Sequence, residues 1–214
     1  MGVRGPVFLT GMMGSGKSTV GRVLAQDLGA HFVDLDRRIE HVFGQAIAEL
    51  FARGEATFRE CEHQALVTLA AEPGFAERAV VVATGGGVVI DERNRRVMRR
   101  VGTIVHLHVG VDELTDRLRA DQADADPADQ DDEGSAPGDE GRAADRPLLP
   151  SAPAAVVDLR ARIEELASTR HVAYRDCDVV VDGAASPEEV ADRVRAALGE
   201  RADPRRGRQE HEAV

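Results

Sequence analysis

Gly11, Gly14 and Gly16, followed directly by Lys17 and Ser18, spell GxxxxGKS, a spacing that can hold a polyphosphate. Glycines let the backbone curl so that successive N–H groups point inward. A helix beginning at the lysine adds the positive end of its dipole. Lys17 would then reach the β- and γ-phosphates of a nucleotide, and the Ser18 hydroxyl would hold Mg²⁺. A ligand-free glycine turn between strand and helix requires neither the ammonium nor the hydroxyl. Lys17 is also the only lysine in a chain with 26 arginines. A compact ammonium is not replaceable by a planar guanidinium between phosphates, which gives that exception a chemical reason.

Asp34 and Asp36 flank Leu35 at the end of a second apolar run. This DLD ends the second strand, so the two carboxylates share a face and point across the strand ends, where open α/β sheets bind ligands. One would hold a water of the Mg²⁺ shell and the other a substrate hydroxyl; the plainer alternative makes Asp36 a helix N-cap. Thr84-Gly85-Gly86-Gly87 follows the most β-branched segment, AVVVA at 79–83. Three glycines carry an entropic cost, which close approach of backbone to a ligand explains. No aspartate ends that segment to complete a magnesium site, so the ion would rest on Ser18, the phosphates and a water-mediated contact to Asp34. Arg59, Arg146 and Arg170 are, taken singly, three arginines among many, and a surface ion pair is the default for each. The seven histidines and two cysteines show no metal-ligand spacing. His106 and His108 read as structural, and Cys61 and Cys177 as free thiols in a reducing cytoplasm.

Strands are expected at 4–10, 32–35, 79–83, 103–109 and 178–181. Helices are expected at 17–28, 37–42, 46–52, 56–71, 92–101, 112–119, 154–173 and 187–198, the last opened by Ser186 as cap and Pro187 in the first turn. That alternation implies a three-layer α/β/α domain around a five-stranded parallel sheet. At 214 residues the chain suits one domain, expected over 1–199 with a disordered tail at 200–214. With no tryptophan, Tyr174 as the only tyrosine and 3% aromatics, the core must be aliphatic. The net charge of −11 is concentrated: residues 120–145 carry ten acids against Arg142 alone. Rich in Asp, Ala, Gly and Pro, and with no apolar side chain larger than alanine apart from its prolines, 121–145 reads as a disordered insertion. The remainder is close to neutral, which argues against a basic nucleic-acid surface. No apolar run approaches the roughly 18–20 residues of a membrane span, and the first residues lack a signal-peptide pattern.

In this order, GMMGSGKST, DLD, FARGEATFRECE, ATGGG, RPLL and TRHVAY resemble the shikimate kinase family. The resemblance covers 3–119 and 146–198; the loop at 11–18 is generic, but the combination is specific. It implies a P-loop kinase fold with a mobile lid at about 117–150. It also implies transfer of the ATP γ-phosphoryl group to the 3-hydroxyl of shikimate, on the route to aromatic amino acids. By position, Gly14, Ser15, Gly16, Lys17, Ser18 and Thr19 would bind ATP, with Lys17 also acting in catalysis. Ser18 would ligate one Mg²⁺ ion, with Asp34 behind a water. Asp36 would bind substrate hydroxyls and accept the proton. Arg59, Gly86 and Arg170 would hold shikimate, whose carboxylate suits arginine forks. Arg146 would come from the lid to bind ATP and neutralise charge on the transferring group, and Arg117 matches a further basic position at the lid's start. The resemblance implies ATP and shikimate as partners, without nucleic acid or membrane; a cytoplasmic monomer is expected.

The sequence departs from the family pattern twice. The acidic insertion separates Arg117 from Arg146, which the family joins within a few residues. Looping out about 25 residues costs on the order of 1–2 kcal/mol of closure entropy, so the lid can still close. The family often sets a basic residue against adenine before the last helix, where this chain has DGAASP at 182–187. Two other readings stay open: another small-molecule kinase such as a gluconate kinase, and a non-catalytic nucleotide-binding module.

Overall fold

The computed structural model describes residues 5–123 and 159–201. The strands are β1 (Val7–Thr10), β2 (His31–Asp34), β3 (Val80–Ala83), β4 (Thr103–His108) and β5 (Val179–Asp182). The helices are α1 (Lys17–Leu28), α2 (Leu35–Phe43), α3 (Ile47–Ala52), α4 (Glu55–Ala70), α5 (Glu92–Val101), α6 (Val111–Ala123), α7 (Leu159–Arg175) and α8 (Pro187–Arg201). All strand pairs are parallel, in the order β2-β3-β1-β4-β5.

Helices on both faces explain why the central strands are uninterrupted apolar runs. Every residue of β1 and β3 is buried. Alternation along β1 then divides the core in two. Val7 and Leu9 join Val20 and Leu24 of α1 and Val190 and Val194 of α8. Phe8 faces the other way, into a cluster with Leu35 and Ile39 of α2, Leu66 of α4 and Met98 of α5.

Several expected boundaries shift. β1 begins at Val7 rather than residue 4. β2 ends at Asp34, whose carboxylate accepts the backbone N–H groups of Asp36 and Arg37. Asp36 therefore lies in the first turn of α2 and not on a strand face beside Asp34. The cap is Asp34, not Asp36, because a short acid at the strand's end satisfies two orphan amides as soon as the chain leaves the sheet. α6 runs to Ala123, three residues into the segment expected to be disordered, since the sequence up to there contains no glycine or proline to stop it. α8 runs to Arg201, into the expected tail. The rest of the acidic insertion, the lid arginine Arg146 and residues 202–214 lie outside the described residues. Among the described residues no helix is long and apolar enough to cross a membrane.

A parallel sheet brings the C-terminal ends of its strands to one edge. That edge carries the glycine loop after β1, Asp34 at the end of β2 and Thr84 with its three glycines after β3.

Candidate active site

After β1 the backbone turns left-handed at Gly14 (φ 77°) and Gly16 (φ 81°), conformations that other residues rarely adopt. A side chain at Gly14 would also press to 3.1 Å from Leu118 Cγ. Gly16 is the N-cap of α1, and no side chain caps that end. The first-turn amides are thus left for an anion. Lys17 Nζ donates to the carbonyls of Gly11 (3.1 Å) and Met12 (2.8 Å) and to Ser15 Oγ (3.4 Å), so the ammonium lies folded over the loop. The Ser15 side chain is buried and that of Thr19 is exposed. Ser18 Oγ donates to Asp34 Oδ2 at 2.8 Å. The other Asp34 oxygen is occupied by the α2 cap. Arg117 reaches the same loop: it donates to Glu113 (2.8 Å) and to the Gly183 carbonyl (3.0 Å), and it lies 3.9 Å from where a Cβ on Gly16 would be.

Asp36, Arg59, Glu62 and Arg170 gather around the glycines that follow β3. Asp36 Oδ1 is buried without a hydrogen-bond partner among the described residues. Burial, then the charge of Asp34, raises the Asp36 pKa to about 6, although Lys17 and Arg59 pull it down. Arg59 pairs with Glu62 at 3.0 Å and with Glu55 at 3.1 Å. Glu62 is 1% exposed, and burial pushes its pKa up to about 7 despite that arginine. Arg170 is 5% exposed, and one of its terminal nitrogens has no partner among the described residues. Unpartnered buried polar atoms are rare in folded proteins; among the described residues they lie on Asp36, Arg38, His106 and Arg170, and two of these, an acid and a base, gather at these glycines.

The glycines explain how these groups fit. A Cβ on Gly85 would sit 2.8 Å from Asp36 Oδ1 and 3.1 Å from Glu62 Oε1, and one on Gly87 would overlap the Arg59 guanidinium. Neither residue has a positive φ, so the requirement is steric rather than conformational. The arrangement can bind a polyphosphate beside a carboxylate able to accept a proton, with the unpartnered Arg170 nitrogen, and Arg59 held beside it by two acids, available to a second anion.

Lys17, Ser18, Asp34, Asp36, Arg59, Gly86 and Arg170 are thus brought together, as their motifs suggested. Glu62 and Tyr174 belong to the same group, although the family resemblance assigns them no role. Tyr174 donates its hydroxyl to the Gly86 carbonyl at 2.6 Å. His106 is structural: it is buried, stacked on Tyr174, and held neutral by burial with its pKa lowered to about 4. A readable signal existed. Phe58, Glu62, Leu66 and Leu69 share the buried stripe of α4, and Ile163, Leu166, Arg170 and Tyr174 that of α7. A charge on an apolar helical stripe asks for a buried partner.

Comparison with known proteins agrees with this geometry. The family model described as shikimate kinase matches residues 13–199. The shikimate kinase of Gloeobacter violaceus is 38% identical over 196 residues, covering 91% of this chain and 93% of its own length. A solved shikimate kinase from Acinetobacter baumannii, in complex with shikimate, superposes with a TM-score of 0.73 at 27% identity, covering 92% of this chain and 94% of that one. A gluconokinase from Sinorhizobium meliloti, at 16% identity and a TM-score of 0.54, covers 94% of this chain and 95% of its own and shares the fold alone. Matched along most of its length by both a family model and a full-length relative, the chain belongs to the shikimate kinase family.

Proposed function

We propose that the protein transfers the γ-phosphoryl group of ATP to the 3-hydroxyl of shikimate, giving shikimate 3-phosphate and ADP. The observation that carries this reading is the buried, unpartnered oxygen of Asp36, with Lys17 of the nucleotide loop and Arg59 both close enough to act on it. The loop amides of Gly14, Ser15, Gly16, Lys17, Ser18 and Thr19 bind the ATP phosphates. Lys17 exchanges the carbonyls of Gly11 and Met12 for phosphate oxygens. Arg59 and Arg170 grip the shikimate carboxylate, and Gly86 lies against the bound acceptor. The 3-hydroxyl oxygen attacks the γ-phosphorus, its proton passes to Asp36, and the bond to the ADP oxygen breaks. A carboxyl with a pKa of about 6 is ionised at neutral pH yet remains basic enough for that transfer. Arg146, outside the described residues, is assigned to binding ATP and neutralising charge on the transferring group. Arg117 is assigned to the nucleotide side.

Ser18 Oγ and Asp34 Oδ2, 2.8 Å apart, are the hard oxygen donors that Mg²⁺ takes together with phosphates and waters. Ser18 would hold one ion directly and Asp34 through a water. Bound there, Mg²⁺ would neutralise charge on the phosphates. We further expect a cytoplasmic monomer; the free thiols of Cys61 and Cys177 suit a reducing compartment.

The test is ADP release measured with ATP and Mg²⁺ against shikimate, gluconate and other hydroxy acids. Turnover should require shikimate. Equal rates on gluconate would overturn the assignment.

A further inference from the structure

We infer that Tyr174 is a positioning residue for the acceptor, holding Gly86 and the Arg170 guanidinium in one fixed relation; this rests on the shikimate kinase reading above. Tyr174 lies one helical turn beyond Arg170 on the buried face of α7. Its hydroxyl donates to the Gly86 carbonyl at 2.6 Å. The same oxygen lies 3.4 Å from Met12 Sδ, in the loop between β1 and α1. The ring is backed by His106 of β4, with centroids 4.6 Å apart and planes 23° from parallel, so the phenol has little room to move.

Gly86 is where this constraint has its effect. A Cβ there would lie 3.4 Å from the Gly11 carbonyl, 3.5 Å from Met13 N and 3.9 Å from the nearer terminal nitrogen of Arg170. The residue is therefore enclosed by the nucleotide loop on one side and the Arg170 guanidinium on the other. Further along, the chain is held from behind: Asn94 donates to the Val88 carbonyl at 3.0 Å and Arg95 to the Ile90 carbonyl at 3.0 Å. Backbone bonds from Val88 N to the Gly85 carbonyl (3.2 Å) and from Ile90 N to the Gly87 carbonyl (3.0 Å) hold the flanking glycines, so what remains is the orientation of the Gly86 carbonyl, which glycine leaves loose. The bond from Tyr174 fixes it. A peptide unit is planar, so fixing the Gly86 carbonyl also fixes the direction of the Gly87 N–H, next to Arg59. Filling the space alone would need only a ring; a buried hydroxyl is a cost unless it is bonded.

Tyr174→Phe keeps the ring and its stacking and removes only the oxygen. Steady-state kinetics with each substrate varied in turn, together with a thermal melt, test the inference. The KM for shikimate should rise about five- to tenfold, the loss expected of one short hydrogen bond. The KM for ATP should stay within roughly twofold and the melting temperature within a few degrees, since no transition-state or nucleotide contact is removed. An unchanged shikimate KM overturns the inference. So does a rise in both KM values together, or an early melt that accompanies it, because either marks a general packing role. If the parent protein does not turn over shikimate, it is the functional assignment that fails; an active parent with an indifferent Phe variant sinks only the role of Tyr174.

Discussion

A carboxyl surrounded by protein holds its proton to higher pH than one in water, and Asp36 shows what that does to a reaction. Its pKa of about 6 arises first from burial and then from the charge of Asp34. In its proposed role as proton acceptor it must be ionised, so kcat/KM for shikimate should fall about tenfold per pH unit below that value. Asp36→Asn should remove this limb and lower kcat by roughly 10²–10⁴-fold while leaving the KM for ATP unchanged. An equal loss of ATP binding would reject the role. The same shift has a cost in stability. Between the ordinary 3.8 and about 6 the native state binds more protons than the unfolded chain, so this group's contribution weakens as pH rises through that window. Residues of this kind were unequally legible. Lys17 and Ser18 announce themselves by motif, whereas Glu62 looks like one more surface acid until the buried stripe of α4 is drawn.

Loops and helix starts set the geometry that the side chains use. Most elements could be read from apolar periodicity, and α5 falls on its expected residues 92–101. The turn at Asp34 could not be read that way. Strand and helix both tolerate DLD, and only the capping bonds from Asp36 and Arg37 decide that the helix begins at Leu35. The triple glycine stands out in the sequence, but its reason lies in what surrounds it. Gly87→Ala puts a methyl group into the Arg59 guanidinium. Arg59 must then give way, and the KM for shikimate should rise about tenfold or more, the scale of a lost charge-assisted contact. ATP binding should change little, whereas the melting temperature should fall by several degrees, because Gly87 is buried beside the core residue Val88 and a displaced Arg59 leaves the buried Glu62 without its partner. An unaffected shikimate KM would show that Arg59 does not need its present place.

At the scale of the whole molecule, two separate cores clamp one sheet, and the site depends on both. Leu24 is fully buried in the α1–α8 core. Leu24→Ala should cost about 2–5 kcal/mol. That corresponds to a fall in melting temperature on the order of 5–15 °C for a chain of this size. Saturating ATP should recover part of it by binding only the native state; no shift at all would mean that face carries little of the fold. The chain's overall design was legible because parallel strands and covering helices leave strong periodic signals, while the segment between α6 and α7 offers no such pattern. One further property follows from the composition and the placement of Tyr174. With no tryptophan and no second tyrosine, the near-ultraviolet emission of the native protein comes chiefly from a single phenol, and that phenol touches both Met12 of the glycine loop and Gly86, the residue proposed to face the acceptor. The protein thus carries its own unlabelled optical reporter, placed where the glycine loop after β1 meets the glycines after β3.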